Sequence, residues 1–295
     1  LSKDDSTLMV GATTSNNVEG SAYVYILSSG VWTLQQILTA SDATTNSNFG
    51  FALALTDDGN LAFISDPRKN DTGGGVYIFS RSGGTWTEQN TLVPTDSGSY
   101  FGFALALSGD GETAFITELT PGRGYNAVFV YTHDCNYLWD QSQTLAPSGV
   151  TNDISFGGSL DLNDDANVAI IGATGGNDGK GAAYIYTESG GTWTEQQTLT
   201  GSDSASSDNF GNSVTLSGDG KTALVGATGK NSTSGAVYAF TESGGTWSQL
   251  QKFVSSDIAT GDLFGTSTAL TGDGNRALVG SQGKNSNTGA AYIFD

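Results

Sequence analysis

The amino-acid sequence predicts an all-β fold, and within that class a β-propeller of four-stranded antiparallel blades. Three observations carry the prediction. The chain has 42 glycines but only 4 prolines and 14% charged residues among 295, a composition typical of many tight turns. A Phe-Gly dipeptide recurs five times, and all five tryptophans recur with the same period. A repeat of this length that holds four short strands is typical of a propeller blade.

The repeat is regular along the whole chain. Successive Phe-Gly pairs are 52, 55, 54 and 54 residues apart. The phenylalanines are Phe49, Phe101, Phe156, Phe210 and Phe264, and the tryptophans are Trp32, Trp86, Trp139, Trp193 and Trp247.

One period shows how the four strands arise. Residues 210–216 alternate as a strand does, the following Ser-Gly-Asp-Gly predicts a tight turn, and residues 221–227 form the second strand. After a loop rich in Gly, Asn and Ser, residues 235–241 and 246–253 flank Glu-Ser-Gly-Gly as a second hairpin. Two hairpins therefore make up each blade.

A β-solenoid is the alternative architecture. Solenoids use shorter rungs of parallel strands without Asp-Gly hairpins, so the pattern favours the propeller. In a propeller, the Phe, Gly and Trp of each repeat are expected to pack between neighbouring blades and not to hold a cofactor.

These motifs resemble the FG-GAP repeat proteins, the propeller repeats of integrin α-subunit heads and of many surface proteins. The match lies in the Phe-Gly that opens each unit and in the Val-Gly-Ala at 10–12 and 225–227, Ile-Gly-Ala at 171–173 and Val-Gly-Ser at 279–281 that end the second strand. The resemblance extends over the chain and is specific for the fold, but weak for function, because one fold hosts many activities.

Residues 1–295 are expected to form a single propeller domain. Its units are approximately 1–48, 49–100, 101–155, 156–209, 210–263 and 264–295. The first unit lacks its Phe-Gly strand and the last lacks its Trp strand, so we expect six or seven blades in the intact domain and a longer parent chain.

Composition limits the classes of partner. The formal charge of −19 disfavours binding to nucleic acid or to anionic lipid, and no apolar run is long enough for membrane insertion. Cys135 is the single cysteine, so no disulfide forms within the chain. A protein or glycan partner is the remaining expectation.

The family resemblance implies calcium in the turn between the first two strands of some blades. The corresponding turns here are short, and most supply one or two carboxylates. We therefore predict no cofactor, with calcium as the alternative. The best candidate ligands are Asp57 and Asp58 in one turn and Asp164 and Asp165 in another.

The loops between the second and third strands carry most of the basic charge, and the links between blades are acidic. Both fall at the same end of each blade. They either form salt bridges that hold the loops in register or present a partner-binding surface. The candidate contact residues are Arg68, Lys69, Arg123, Tyr125, Lys180, Lys230 and Lys284, and the sequons at Asn70 and Asn231 are candidate glycosylation sites.

Catalysis is not predicted. His133, Asp134 and Cys135 are consecutive in one hairpin, where their side chains diverge, and no second histidine exists. The sequence favours a non-catalytic, extracellular or cell-surface propeller that acts in adhesion, protein interaction or assembly. The alternatives are a lectin-like propeller that uses Trp86, Trp193 and Trp247, and a propeller attached to an enzyme elsewhere in a parent chain.

Overall fold

The computed structural model describes residues 1–15, 19–69, 73–94, 99–119, 127–133, 138–148 and 155–295. Within these residues, 22 strands form six antiparallel sheets, the blades of a β-propeller. In each sheet the strands follow one another in chain order. The predicted fold class is confirmed, with four strands in blades 2 to 5 and three in blades 1 and 6.

The strand bounds follow the repeat. Blade 1 holds β1 (Thr7–Ala12), β2 (Ser21–Ser28) and β3 (Val31–Leu38); blade 2 holds β4 (Leu53–Leu55), β5 (Leu61–Asp66), β6 (Gly75–Ser82) and β7 (Thr85–Leu92); and blade 3 holds β8 (Tyr100–Leu107), β9 (Thr113–Leu119), β10 (Ala127–His133) and β11 (Trp139–Leu145). Blade 4 holds β12 (Phe156–Leu162), β13 (Val168–Ala173), β14 (Ala182–Ser189) and β15 (Thr192–Leu199); blade 5 holds β16 (Phe210–Leu216), β17 (Thr222–Ala227), β18 (Ala236–Ser243) and β19 (Thr246–Phe253); and blade 6 holds β20 (Phe264–Leu270), β21 (Ala277–Ser281) and β22 (Ala290–Phe294).

Short helical turns fill the loop between the second and third strands in the last three blades. They span Gly176–Gly179, Lys230–Thr233 and Lys284–Asn287. Their middle residues have left-handed backbone, as at Asn231 (φ 51°) and Ser232 (φ 59°). Asn tolerates this conformation better than most residues, which fits the Asn that recurs at this position.

The predicted Asp-Gly turns are confirmed by their hydrogen bonds. The Ser217 hydroxyl donates to the Asp219 carboxylate (2.6 Å), which also accepts the amide of Lys221 (3.0 Å). Gly220 follows Asp219 with φ of 67°, a conformation that glycine adopts at little cost. The Ser-x-Asp-Gly sequence is therefore a self-contained turn.

Among blades 1 to 3, and again among blades 4 to 6, consecutive blades are joined through the Phe-Gly dipeptide. Phe264 is fully buried and forms a parallel bridge with Gly235 of the preceding blade. Its amide donates to the Ser234 carbonyl (2.9 Å), and its ring meets that of Tyr292 edge-on at 5.5 Å. A side chain on Gly235 would place its Cβ 2.1 Å from the Phe264 carbonyl oxygen, so only glycine fits there.

The glycine of the Val-Gly-Ala motif serves the same junction. A Cβ on Gly226 would lie 2.3 Å from the carbonyl oxygen of Gly265 in the next blade, and one on Gly172 would lie 2.2 Å from that of Gly211. These separations are far below van der Waals contact. The motif is thus one of the points where two blade backbones approach too closely for a side chain.

Tryptophans cover the outer part of the same junctions, as predicted. Trp139 packs edge-on against Phe63 of the preceding blade, with ring centroids 4.9 Å apart. The Gln36 side chain accepts the Trp86 amide (2.9 Å) and donates to the Trp86 carbonyl (3.0 Å). This reciprocal pair aligns the outer strands of blades 1 and 2.

The chain divides into two compact units near the end of β11. One contains blades 1 to 3 and the other contains blades 4 to 6. Each has its own buried clusters; in the second unit the largest includes Ile170, Phe210, Tyr238 and Trp247.

We expect Gly226→Ala to destabilise the chain by about 3 kcal/mol, because the added methyl group overpacks the backbone of the next blade. Gly272→Ala is the matched control, since a Cβ there meets nothing within 4 Å. Urea denaturation of both variants measures the difference. Equal midpoints would show that the close approach at Gly226 is relieved without cost.

Candidate functional site at the loop ends of the blades

The loops between the second and third strands of three blades each bury a lysine against acidic residues of the preceding blade link. We call these arrangements the lysine clusters of blades 2, 5 and 6. Their lysines are Lys69, Lys230 and Lys284, which are 7%, 6% and 7% exposed. Each lysine lies five residues before a glycine with positive φ; these glycines are Gly74, Gly235 and Gly289.

The blade 5 cluster shows the geometry. The Lys230 ammonium lies 2.8 Å from the Asp208 carboxylate and also donates to the Asp203 carbonyl oxygen. Asp203 accepts the Tyr238 hydroxyl (2.5 Å) and the Lys252 ammonium (2.8 Å). The buried cation is therefore bound to two points of one link.

The blade 6 cluster repeats this arrangement. The Lys284 ammonium lies 2.9 Å from Asp262 and donates to the Asp257 carbonyl oxygen. The Tyr292 hydroxyl donates to the Asp257 carboxylate (2.9 Å). Because two blades use equivalent residues in the same way, the cluster is a property of the repeat.

The blade 2 cluster is smaller. Lys69 forms an ion pair with Asp42 and donates to the Tyr77 hydroxyl (2.7 Å), which donates in turn to Asp42 (2.6 Å). Asp66 lies nearby, fully buried, and accepts the amides of Asn48 (2.8 Å) and Arg68 (3.0 Å).

These contacts shift the acidities of the cluster residues. Burial acts to raise the pKa of Asp203, but hydrogen bonds from Lys252 and Tyr238 outweigh it and lower that pKa to about 2. The hydrogen bond from Lys284 lowers the pKa of Asp262 and raises the pKa of Lys284 itself. Burial, reinforced by Asp203, raises the pKa of Tyr238 above its usual value. These shifts favour ionised Asp203 and Asp262, protonated Lys284 and neutral Tyr238.

A partner-binding surface would require exposed lysines, but three of the candidate loop lysines are buried. Lys69, Lys230 and Lys284 point into the blade link and not into solvent, because neighbouring carboxylates and carbonyls bind their charge. Of the two predicted roles, salt bridges and a partner-binding surface, the salt bridges are present, and each has a buried lysine. Arg68 is exposed and Lys180 is half-buried. Arg123, Tyr125 and Asn70 lie outside the described residues, and a binding role for any of these positions stays a prediction.

Asn231, the second candidate glycosylation site, is exposed at the tip of the blade 5 loop. Its modification also stays a prediction.

The candidate calcium ligands are engaged by the protein. Asp57 pairs with Lys3 (3.2 Å), and Asp58 accepts the Thr56 hydroxyl (2.7 Å) and both the amide and the side chain of Asn60. The described residues contain no group of three His, Cys, Asp or Glu side chains arranged to hold a metal ion.

In the other candidate turn, the amide of Asp164 donates to the carbonyl of Gly218 in the next blade (3.1 Å), and Asp165 is exposed. The backbone of this turn therefore contributes to the contact between blades 4 and 5.

The tryptophans proposed for a glycan platform are buried between blades. Trp86, Trp193 and Trp247 are 3%, 5% and 3% exposed, so their faces are not available for stacking on a sugar. The His133 ring packs against Trp139 at 4.8 Å. Asp134 and Cys135 lie outside the described residues.

Sequence reasoning missed three kinds of residue that organise these junctions. The first kind is the tyrosine of each cluster, Tyr77, Tyr238 or Tyr292, which follows two small or apolar residues in the third strand. This pattern is visible in the sequence, but it is also typical of any buried strand. Gln197 pairs with the backbone of Trp247 as Gln36 does with Trp86. Asp161 accepts the amide of Leu216 in the next blade (2.8 Å), and burial raises its pKa to about 6.

The fold and loop ends together define a propeller whose blades are joined by Phe-Gly and Gly-Ala contacts. The FG-GAP repeat family model matches residues 32–79, 139–186, 193–240 and 247–294, and the chain belongs to this family. Each match starts at an outer-strand tryptophan and ends in the third strand of the next blade, so the family repeat spans a blade junction.

Two mouse integrins resemble parts of the chain. Integrin alpha-2 is 29% identical over 131 residues, which are 39% of this chain and 11% of the integrin. Integrin alpha-7 is 24% identical over 143 residues, which are 44% of this chain and 12% of the integrin. The chain therefore matches only about a ninth of the length of these relatives.

Solved structures support the fold alone. A protein from Lactobacillus plantarum superposes with a TM-score of 0.63 at 17% identity, covering 98% of this chain and 81% of its own. Hydrazine synthase from Kuenenia stuttgartiensis superposes with a TM-score of 0.64 at 15% identity, covering 96% and 72%. In the described residues, no helix is long and apolar enough to cross a membrane.

We expect Lys230→Met to destabilise the chain by about 3 to 5 kcal/mol, because it leaves the buried Asp208 carboxylate without its cation. The double variant with Asp208→Asn should recover part of this loss. Lys221→Met, at an exposed position, should change stability by less than about 0.5 kcal/mol. Denaturant titration measures all three; a loss at Lys221 equal to that at Lys230 would contradict a specific role for the cluster.

Acid should weaken the same cluster. The pKa of Asp203 is about 2 when folded and about 3.9 when unfolded, so its stabilising effect is complete above about pH 5 and is lost progressively as the pH falls to about 1. The melting temperature should therefore fall less steeply over this interval in Asp203→Asn than in the unaltered chain. Parallel curves would show that Asp203 does not contribute.

Proposed function

We propose that this chain is a non-catalytic protein-interaction propeller that acts in adhesion or assembly outside the cell, with the loop ends of its blades as the contact surface. The lysine clusters are the observation that carries the proposal. In blades 5 and 6 the buried lysine binds the loop to the preceding blade link. The adjacent residues Asn231–Thr233 and Asn285–Asn287 have defined backbone conformations and are exposed. Binding surfaces of this kind lose little conformational entropy on association.

The charge of this surface indicates the kind of partner. The lysine ammonium groups are buried, whereas the side chains of Asp42, Asp203 and Asp257 are 55%, 49% and 59% exposed. Carboxylates and loop amides therefore face solvent. A neutral or basic protein surface suits this pattern better than an acidic one.

The similarity to integrin alpha-2 and alpha-7 supports an adhesive role at the cell surface. The local chemistry supports a role without catalysis, since Asp203, Tyr238 and Asp161, three residues with shifted pKa values, form hydrogen bonds with one another, with Lys252, with Thr215 or with backbone amides. A lectin function is less well supported, because Trp86, Trp193 and Trp247, the residues suggested for stacking on a sugar, are buried.

An attachment assay tests the proposal. Cells are applied to surfaces coated with the chain, with a loop variant (Asn231→Arg with Asn285→Arg), or with a control variant at the opposite ends of the blades (Thr192→Arg with Thr246→Arg). All four positions are exposed. We expect attachment to the unaltered chain, a loss of at least about tenfold with the loop variant, and no loss with the control.

Attachment that depends on the control positions, or none at all, would contradict the proposal. Loss of attachment after enzymatic removal of cell-surface glycans would favour a lectin instead.

A further inference from the structure

A cavity of about 460 Å³ lies between blades 2 and 3, at the ends of the blades that carry the Asp-Gly turns. Its apolar lining is Leu61 and Ile78, which are 9% and 2% exposed. Charged and amide side chains of both blades line the rest. A concave site with a buried apolar surface and a few polar groups is the usual form of a small-ligand site.

The equivalent place between blades 1 and 2 is filled by an arginine of the chain itself. The Arg81 guanidinium donates to the Thr7 hydroxyl of blade 1 (3.0 Å) and to the side-chain oxygen of Asn60 in its own blade (2.9 Å). Its central carbon lies 5.4 Å from the centre of the Trp86 ring. This guanidinium therefore joins the two blades, with one acceptor on each.

The turn glycines show that the two junctions correspond. A Cβ on Gly59 of blade 2 would lie 2.8 Å from the Thr7 hydroxyl oxygen, and a Cβ on Gly111 of blade 3 would lie 3.0 Å from a methyl carbon of Leu61. Thr7 and Leu61 begin the corresponding strands β1 and β5. The cavity beside Leu61 is therefore at the position that Arg81 reaches beside Thr7.

His133 takes the place of Arg81 in blade 3. Each is the first residue of its third strand beyond the paired register with the second strand. The His133 ring packs against Trp139 with centroids 4.8 Å apart, as the guanidinium packs against Trp86. Because a histidine side chain is shorter than an arginine side chain, the space toward Leu61 stays open.

A shortened amide side chain also leaves space here. Asn90 lines the cavity and stands where Gln36 and Gln197 stand in blades 1 and 4. Its side-chain oxygen accepts the amide of the adjacent Thr91 (2.8 Å). Within the described residues it forms no pair with the Trp139 backbone, so the outer wall of blade 2 does not close over the cavity.

The turn of blade 3 supplies acceptors to the open position. Glu112 corresponds to Asn60, so a carboxylate stands where an amide oxygen accepts from Arg81 in blade 2. The Glu112 carboxylate is exposed and has no partner among the described residues. In Asp110, one carboxylate oxygen accepts the Ser108 hydroxyl (2.6 Å) and the Glu112 amide (2.9 Å). The other oxygen has no such contact in the described chain.

The charge of the lining favours a cation. Three carboxylates, those of Asp58, Asp110 and Glu112, face one guanidinium, that of Arg81, which is already bound at the junction with blade 1. An anion would therefore be repelled and a cation attracted. The apolar lining suits an alkyl chain, and carboxylates bind a planar guanidinium through two parallel hydrogen bonds, which an ammonium group cannot form.

We propose that this cavity binds an alkylguanidinium group. Its alkyl chain lies against Leu61 and Ile78, and its guanidinium is bound by Glu112 and Asp110. A free guanidino compound and an arginine side chain of a partner protein share this chemistry. The cavity is at the opposite ends of the blades from the lysine clusters, and the proposal does not depend on the function proposed for the loop ends.

Butylguanidinium serves as the probe. It is titrated into the full 295-residue chain at low ionic strength and followed by isothermal titration calorimetry. We expect saturable binding that is at least about tenfold weaker for butylammonium, which lacks the planar group, and no binding of the neutral butylurea.

Variants of the chain locate the site. Glu112→Gln should weaken binding at least about tenfold. Asp5→Asn is the matched control, since it removes the same charge from an exposed position in the corresponding turn of blade 1 and should leave binding unchanged. His133→Arg should abolish binding, because it supplies the chain's own guanidinium to the cavity as Arg81 does at the preceding junction. Far-ultraviolet circular dichroism checks that each variant is folded.

Four results would overturn the proposal: no saturable binding, equal binding of butylammonium or butylurea, equal loss in the Glu112 and Asp5 variants, or undiminished binding in a folded His133→Arg variant. The peptide acetyl-Gly-Arg-Gly-amide distinguishes the two sources. Binding as strong as that of butylguanidinium would assign the cavity to an arginine side chain of a partner, and binding of butylguanidinium alone would assign it to a free guanidino compound.

Discussion

Within each compact unit, the burial of a Phe-Gly dipeptide against the preceding blade is the contact on which the rest of the structure depends. It combines a fully buried ring, a parallel backbone bridge and two glycines that admit no side chain, as at Phe264, Gly235 and Gly226. A blade alone cannot bury both of its faces. The close backbone approach brings the faces together, and the tryptophan and glutamine contacts then form farther out.

The lysine clusters depend on the same junction. Lys230 belongs to one blade, but the Asp203 and Asp208 that bind its charge belong to the link from the blade before. The ion pairs exist only because the Phe-Gly contact brings loop and link to the same place. Burying a charge is costly unless it is paired, so these clusters tie the loop conformation to correct packing of the blades.

Much of the fold could be predicted from the sequence because its signals are local. The period of the repeat, the Asp-Gly turns and the alternation in strands such as β17 and β19 depend on residues close together in the chain. The site was harder to predict, since exposure depends on distant partners. A lysine in a Gly/Asn/Ser loop reads as solvated, yet Lys284 is buried by Asp257 and Asp262 of another segment. The tryptophans suggested a glycan platform, but their burial follows from the neighbouring blade.

The sequence by itself determined the all-β class, the four-stranded blade, the FG-GAP resemblance and the structural role of Phe, Gly and Trp. Only the tertiary structure decided that the loop lysines are buried, that Gln36 and Gln197 pair with tryptophan backbones, and that Leu61 and Ile78 line an open cavity between blades 2 and 3. The physical reason is the range of the interactions. Turn chemistry and strand alternation act over a few residues, whereas desolvation and ion pairing act between segments about 20 to 50 residues apart.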